Sequence, residues 1–169
     1  MTVADKREYL PHSAGCFLCG DGNACGVRTR FYVEDGAVRA RLSLARHLNG
    51  YRDVAHGGVL TALLDESMGW AATVFGRKRP MYVTGELTVK FLRPVSVEAE
   101  IEVISRLVED AGRVAYCAGE IRCGGSVCVR AAGKFLPMSR AGTAEVIPYL
   151  KFEGCRKYRT LFEQTGEGE

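Results

Sequence analysis

Hydrophobic and polar residues alternate along several stretches of the chain, a pattern typical of strands with one buried and one solvated face. The first two alternating runs cover residues 27–33 and 38–44, and Glu34-Asp35-Gly36 between them is typical of a hairpin turn. Further runs cover residues 81–91 and 97–103, then a stretch from the turn near 109–112 to about residue 122, and finally residues 127–136. The pattern therefore predicts six strands.

One long helix is predicted between the second and third strands, from about Gly57 to Phe75. Its apolar residues cover nearly the whole circumference, which is typical of a buried helix, and Gly76 is the expected end. A single helix cannot be buried by itself, so an antiparallel sheet must curl around it. The predicted fold class is α+β, a hotdog fold in which a six-stranded antiparallel sheet wraps around one long central helix.

The regions outside these elements contain more polar and turn-forming residues. Residues 1–26 are predicted to be a loop-rich N-terminal segment, residues 27–137 the hotdog domain, and residues 138–169 a polar tail with a short helix around 146–162. Asn49-Gly50 is the expected turn in the irregular stretch before the helix.

Composition and charge exclude several classes of function. The 169 residues fit one domain, and a net charge of +3 is too small to indicate a nucleic-acid partner. No run can cross a membrane, because Asp65 and Glu66 interrupt the most apolar stretch. The N-terminus has no signal-peptide pattern, so we expect a cytoplasmic protein whose seven cysteines are mostly reduced.

Residues that could carry chemistry cluster around the predicted helix. Glycines at a helix start let a ligand approach the backbone, and the free N–H groups there suit a carbonyl oxygen that becomes negative. Gly57 N–H is therefore a candidate oxyanion donor, assisted by His56. Asp65 lies in the middle of the helix among apolar residues, where a carboxylate is costly unless it is paired or working. It could act as a general base on water or attack a carbonyl carbon itself.

The sequence His56-Gly57-Gly58, followed by Asp65 nine positions after the histidine, resembles the hotdog-fold acyl-CoA thioesterases of the PaaI and 4-hydroxybenzoyl-CoA thioesterase type. The later run TGELTVKFLRP at residues 84–94 also resembles their strand after the helix. The resemblance covers roughly residues 27–137. It implies hydrolysis of an acyl-CoA thioester to free acid and CoA, with no metal and no cofactor.

The same resemblance implies roles for neighbouring residues. Asn49 corresponds to a residue that orients substrate or water, although it is most simply a turn residue here. Gly58 belongs to the substrate-binding helix start. Thr84 corresponds to a Ser or Thr near the attacking water, although alternation assigns it to the polar face of its strand. Glu66 is expected in an ion pair at an interface or surface, and it is the alternative candidate for the base.

The spacing of His56 and Asp65 predicts a site built from two chains. Nine helical residues correspond to about 2.5 turns and about 13.5 Å, so the two side chains point to roughly opposite sides. One chain cannot bring both to one carbonyl group, whereas two chains related by a two-fold axis can. We therefore expect a homodimer or a dimer of dimers, as the resemblance also implies.

Three N-terminal cysteines raise the question of a metal. Cys16 and Cys19 have the spacing of a zinc knuckle, and His12 lies close by. No second pair of cysteines with this spacing follows, because Cys25 has no partner cysteine at a suitable distance in the sequence. A structural turn is therefore favoured over a metal site.

Two other functions remain open for a hotdog protein of this sequence. A non-catalytic module could bind acyl-CoA as a sensor, although a pure binder has no need of a buried carboxylate such as Asp65. An acyl-thioester dehydratase or hydratase would also pair a histidine with an acid across two chains.

Overall fold

The computed structural model describes residues 7–77 and 81–163. Residues 1–6 of the predicted N-terminal segment and residues 164–169 of the predicted tail lie outside this range. The strands are β1 (His12–Ser13), β2 (Tyr32–Glu34), β3 (Ala37–Ser43), β4 (Asn49–Tyr51), β5 (Val54–Ala55), β6 (Tyr82–Phe91), β7 (Glu100–Asp110), β8 (Ala115–Cys123), β9 (Ser126–Pro137) and β10 (Leu150–Lys151). The helices are α1 (Gly57–Phe75), α2 (Arg140–Val146) and α3 (Arg156–Glu163).

The six-stranded sheet has the order β2-β3-β7-β8-β9-β6, and all its neighbouring pairs are antiparallel. Helix α1 packs against β3, β6, β7, β8 and β9. The helix core residues Leu63, Leu64 and Met68 are fully buried. The hotdog fold predicted from the pattern is thereby confirmed, and the helix has the predicted bounds.

The first predicted strand is wrong over most of its length, because β2 includes three residues instead of seven. The N–H groups of Val27 and Thr29 donate to the carbonyl oxygens of Phe17 and Leu18, at 2.8 Å each. Arg28 between them has a φ of 58°, which an extended strand does not allow. This segment therefore pairs with the N-terminal loop and not with β3.

The predicted turn at Asn49-Gly50 is also wrong. Asn49 pairs with Ala55 in the β4–β5 hairpin, and the chain reverses at residues 52–53, where Asp53 has a φ of 62°. The N–H of His56 donates to the carbonyl of Leu48 at 2.9 Å. The hairpin thus brings the chain directly to the start of α1.

Strand β6 contains a bulge that changes which side chains face the helix. Thr84 pairs with Phe135 and Glu86 with Lys134, so Gly85 is the extra residue. Phe135 is buried, whereas Lys134 forms a 2.6 Å salt bridge with Glu86 on the outer face. Thr84 therefore lies on the helix side of the sheet, and the predicted strict alternation holds only after the bulge.

A strand near the N-terminus and a strand near the C-terminus form a separate two-stranded sheet. Strand β1 is antiparallel to β10, with His12 opposite Lys151. One short helix was expected around residues 146–162, and α3 lies in the second half of that range. The first half, residues 147–155, forms a 3-10 turn, β10 and a further turn, and α2 precedes it. Within the described residues, no helix is long and apolar enough to cross a membrane.

Candidate active site

The start of α1 is closed by its own histidine. His56 is the N-cap residue, and its Nδ1 accepts a hydrogen bond from the N–H of Gly58 at 2.9 Å. An accepting Nδ1 on a neutral ring leaves the proton on Nε2, which can then donate. Gly57 N–H, at the first helical position, has no acceptor within the helix. Of the two glycines in the motif, Gly57 thus retains a donor that a ligand can use.

Close packing explains why glycine stands at position 57. A Cβ on Gly57 would lie 3.3 Å from Cζ of Phe91. The ring of Phe91 therefore lies directly over the backbone at the helix start.

A cavity of about 600 Å³ opens at this helix start. Its walls come from β4, β5, the first turn of α1 and the segment that follows β6. Arg93 provides a cationic side chain in the wall. The lining residues are Gly50, Tyr51, Val54, Ala55, His56, Gly57, Leu60, Phe91, Leu92, Arg93, Pro94 and Val95.

Asp65 lies at a second cavity and is held there by Thr84. The hydroxyl of Thr84 donates to Oδ1 of Asp65 at 2.6 Å, a short hydrogen bond of the charge-assisted kind. The bond fixes one carboxylate oxygen and leaves Oδ2 for another partner. Strict alternation predicts Thr84 on the outer face, which is wrong, because the bulge at Gly85 turns Thr84 toward the helix. An isolated glycine within a strand pattern is the sequence signal for such a bulge.

The second cavity has a volume of about 360 Å³. Residues of the N-terminal loop and of the segment after α2 form one wall, and α1 and β6 form the other. The lining residues are Ser13, Cys16, Cys19, Asp65, Glu66, Gly69, Trp70, Thr73, Met81, Tyr82, Thr84, Phe135, Val146 and Leu150.

Glu66 lies against two cysteines within this cavity. The thiol of Cys16 donates to Oε2 of Glu66 at 3.2 Å. Burial raises the pKa of Glu66 to about 8. A hydrogen bond from Cys19 lowers the pKa of Cys16 to about 5, and the same bond raises the pKa of Cys19. Among the described residues of one chain, Glu66 contacts Cys16 and forms no surface ion pair, whereas an ion pair at an interface between chains stays a prediction.

The structure brings the predicted site residues together in two groups. Asp65, Glu66 and Thr84 share the smaller cavity, whereas His56 and Gly57 line the larger one. Asn49 is exposed in β4 and lines neither cavity, because the hairpin turns its neighbour Gly50 toward the helix start. Sequence reasoning missed Phe91 and the contact of Cys16 with Glu66.

The comparison with protein families agrees with this fold. Residues 53–129, which include the helix start, Asp65 and Thr84, match the model of the Thioesterase superfamily. A crystal structure of a thioesterase superfamily protein is 29% identical, with a TM-score of 0.67 over 73% of this chain and 60% of that chain. Residues 53–129 are thus similar to the thioesterase superfamily, and the shared fold confirms the resemblance to the hotdog-fold thioesterases.

Two further proteins are similar over part of the chain. An uncharacterised protein of Schizosaccharomyces pombe is 29% identical over 99 residues, which make up 55% of this chain and 55% of that protein. The chain thus spans about half the length of this curated relative. The PaaI protein of E. coli, from the phenylacetic acid degradation operon, has a TM-score of 0.62 at 17% identity, over 70% of this chain and 86% of that chain. At this identity the likeness concerns the fold alone.

Proposed function

We propose that the protein hydrolyses an acyl-CoA thioester to a free acid and CoA. The hydrogen bond of Thr84 to Asp65 carries this proposal. It holds a half-buried carboxylate in one orientation at the wall of a cavity, with one oxygen left unoccupied. A base that takes a proton from water needs this arrangement, because the geometry must be fixed before the reaction begins.

Hydrolysis assigns a role to each group. Oδ2 of Asp65 takes a proton from a water molecule while the water oxygen attacks the thioester carbonyl carbon. The carbonyl oxygen becomes negative and accepts a hydrogen bond from Gly57 N–H, where the helix dipole adds stabilisation. The C–S bond then breaks, and the leaving sulfur of CoA receives the proton from Asp65. The alternative role of Asp65, direct attack on the carbonyl carbon, needs the same orientation.

These roles need two chains, because His56 and Asp65 line different cavities of one chain. Strand β6 lies at the edge of the sheet and carries Thr84 and Phe91, one residue from each cavity. A two-fold axis beside this edge would bring the helix start of one chain to Asp65 of its partner. A homodimer, or a dimer of dimers, therefore forms part of the proposal.

The larger cavity suits the phosphate end of coenzyme A. Arg93 stands in its wall, and a guanidinium group binds phosphate oxygens through paired hydrogen bonds. The apolar residues of the wall, such as Leu60 and Val95, suit the pantetheine arm. We therefore assign the CoA contact to the side of the site that carries Arg93.

A thiol-release screen over short, medium, long and aromatic acyl-CoAs tests this function. We expect release of free CoA with at least one acyl group and no cofactor added. Binding of acyl-CoA without release would support the sensor function instead. A change of double-bond absorbance without free thiol would support a dehydratase or hydratase. The Asp65→Asn variant, assayed in parallel, shows whether any thiol release depends on this site.

A further inference from the structure

Three ligand-type side chains converge in the wall of the smaller cavity: the thiols of Cys16 and Cys19 and the carboxylate of Glu66. Their sulfur and oxygen atoms all lie within 4.8 Å of one another. The two cysteines come from the N-terminal loop and the glutamate from α1, fifty residues away. The contact therefore joins two parts of the fold that are distant in sequence.

The loop that carries the cysteines already has a shape suited to holding a thiolate. The N–H groups of Leu18 and Cys19 both point at the sulfur of Cys16, at 3.3 and 3.4 Å. The loop continues through Gly20, where a Cβ would lie 2.4 Å from the carbonyl oxygen of Cys16. A tight turn with N–H groups directed at the first sulfur stabilises negative charge on that atom.

Glu66 supplies a third group that can bind a cation once it is deprotonated. The side chains that act on its carboxyl group are Cys16, Cys19 and the indole of Trp70. Buried charges are generally paired or coordinate metals. Two thiols and one carboxylate at a single point thus form a donor set that a cation would satisfy.

We propose that Cys16, Cys19 and Glu66 bind one zinc ion. Thiolate sulfurs favour a soft divalent cation, and zinc accepts both sulfur and carboxylate oxygen in tetrahedral sites. Ligand atoms about 2.0–2.3 Å from a tetrahedral ion lie about 3.5–3.8 Å apart, so a cluster within 4.8 Å needs to contract by roughly 1 Å. Three protein ligands leave a fourth position for water or another ligand, and all three residues line the cavity that Asp65 and Thr84 also line.

The zinc ion would fix the N-terminal loop to α1 at the residue next to Asp65. This assignment is independent of the proposed hydrolysis, because its test measures metal and not turnover. A zinc site of this kind needs only the one cysteine pair, Cys16 and Cys19, because the third ligand, Glu66, comes from the helix and not from a second cysteine pair.

Metal binding by the full-length chain tests the site. The protein, purified without a histidine tag, is stripped with chelator under reductant, reloaded with zinc and measured by mass spectrometry of the metal. We expect one zinc per chain in the wild type. Cys16→Ser and Cys19→Ser should each weaken zinc binding by roughly 100-fold or more, and Glu66→Gln by roughly 10-fold or more. Cys25→Ser is the matched control, because Cys25 is an exposed cysteine of the same loop region outside the cluster, and it should retain one zinc.

A second measurement on the wild type avoids any folding defect of the variants. Zinc should protect Cys16 and Cys19 from alkylation at least about 10-fold, as mapped by peptide mass spectrometry, and leave Cys25 reactive. Cobalt in place of zinc should give thiolate charge-transfer absorption and the strong visible bands of a tetrahedral ion. The proposal is overturned if the reduced wild type binds no zinc, if zinc protects none of these cysteines, or if the serine variants bind zinc as tightly as the wild type.

Discussion

At the scale of single residues, the orientation of Asp65 depends on one hydroxyl group. Thr84 donates to Oδ1 at 2.6 Å, and this position on the strand faces the helix because of the bulge at Gly85. A carboxylate held in this way loses less conformational entropy during the reaction than one that rotates freely, because it is already oriented before substrate binds. The chemistry of Asp65 and its positioning by Thr84 can therefore be tested separately.

Replacement of Asp65 by Asn removes the base and keeps the shape of the side chain. We expect kcat to fall by roughly 10²–10⁴-fold, because an amide cannot accept the proton of the attacking water. Binding of a non-hydrolysable thioether analogue, measured by calorimetry, should change little. Asp35→Asn is the control, since Asp35 is an exposed residue in the β2–β3 turn. Near-normal turnover by the Asp65 variant would transfer the role of base to Glu66 or to another group.

Thr84→Val keeps the branched shape and removes the hydroxyl group. The carboxylate of Asp65 then loses its orientation, and we expect kcat to fall by roughly 10- to 100-fold while KM changes little. Thr88→Val is the control, because Thr88 is exposed on the same strand and pairs with Ala132 on the outer face. Equal kinetics of the two variants would contradict a positioning role for Thr84.

Arg93→Ala tests which side of the site holds coenzyme A. We expect KM for an acyl-CoA to rise by about 10-fold, which corresponds to about 1.4 kcal/mol, because a phosphate contact is lost. KM for the corresponding acyl-pantetheine, which lacks the nucleotide phosphates, should not change. Arg130→Ala is the matched control, because Arg130 is exposed on β9 outside both cavity linings. An equal rise with both substrates would contradict the assignment.

At the scale of elements, α1 carries both halves of the site and also packs against five strands of the sheet. Its N-cap, His56, is at the same time a candidate site residue. The helix and the sheet pack closely, and two glycines differ in how much room they leave for an added Cβ atom. A Cβ on Gly69 of α1 would lie 3.7 Å from Phe135, whereas one on Gly119 of β8 would lie 2.5 Å from Oγ of Ser105.

These two glycines predict opposite effects on stability. Gly69→Ala should raise the free energy of unfolding by about 0.5–1 kcal/mol, because alanine restricts the unfolded chain and fits the helix. Gly119→Ala should lower it by about 1–3 kcal/mol, because the added methyl group overpacks the helix–sheet contact. Urea denaturation at one fixed protein concentration measures both changes. A destabilised Gly69 variant would contradict the ordinary van der Waals distance of 3.7 Å between this Cβ position and Phe135.

At the scale of the whole molecule, the two cavities of one chain each hold half of the proposed site. His56 and Gly57 line the larger cavity, and Asp65 and Thr84 line the smaller one. The edge strand β6 runs between them. A complete site then depends on how two chains associate and not on how one chain folds.

Mixing two inactive variants tests this dependence. His56→Ala and Asp65→Asn chains, unfolded together and refolded at equal amounts, should recover about a quarter of wild-type activity, because about half of the dimers are mixed and each has one intact site of two. As the matched control, the double variant is refolded with wild type. Two-chain sites predict about a quarter of full activity for this control, whereas single-chain sites predict about half. No recovery in the first mixture would remove the two-chain site, even if the protein proves to be a thioesterase.

The sequence by itself determined the long helix and most of the sheet. The bounds of α1 were predictable because its apolar pattern and Gly76 are local signals, and the β2–β3 turn was predictable because Asp35-Gly36 is a local signal as well. The sequence also indicated His56, Gly57 and Asp65 as a candidate site, since a histidine-glycine helix start and a carboxylate among apolar residues are unusual wherever they occur. Their catalytic roles stay a prediction.

The tertiary structure decided what depends on contacts between distant residues. Alternation defines the face of a side chain only while a strand stays regular, so the bulge at Gly85 had to be seen before Thr84 could be paired with Asp65. Residues 27–31 look like a strand, yet the N–H groups of Val27 and Thr29 donate to carbonyl oxygens of the N-terminal loop. Cys16 and Glu66 are fifty residues apart in sequence, so no local sequence pattern predicts their contact. Local preferences select the elements, whereas packing of the whole chain selects the partners of each side chain.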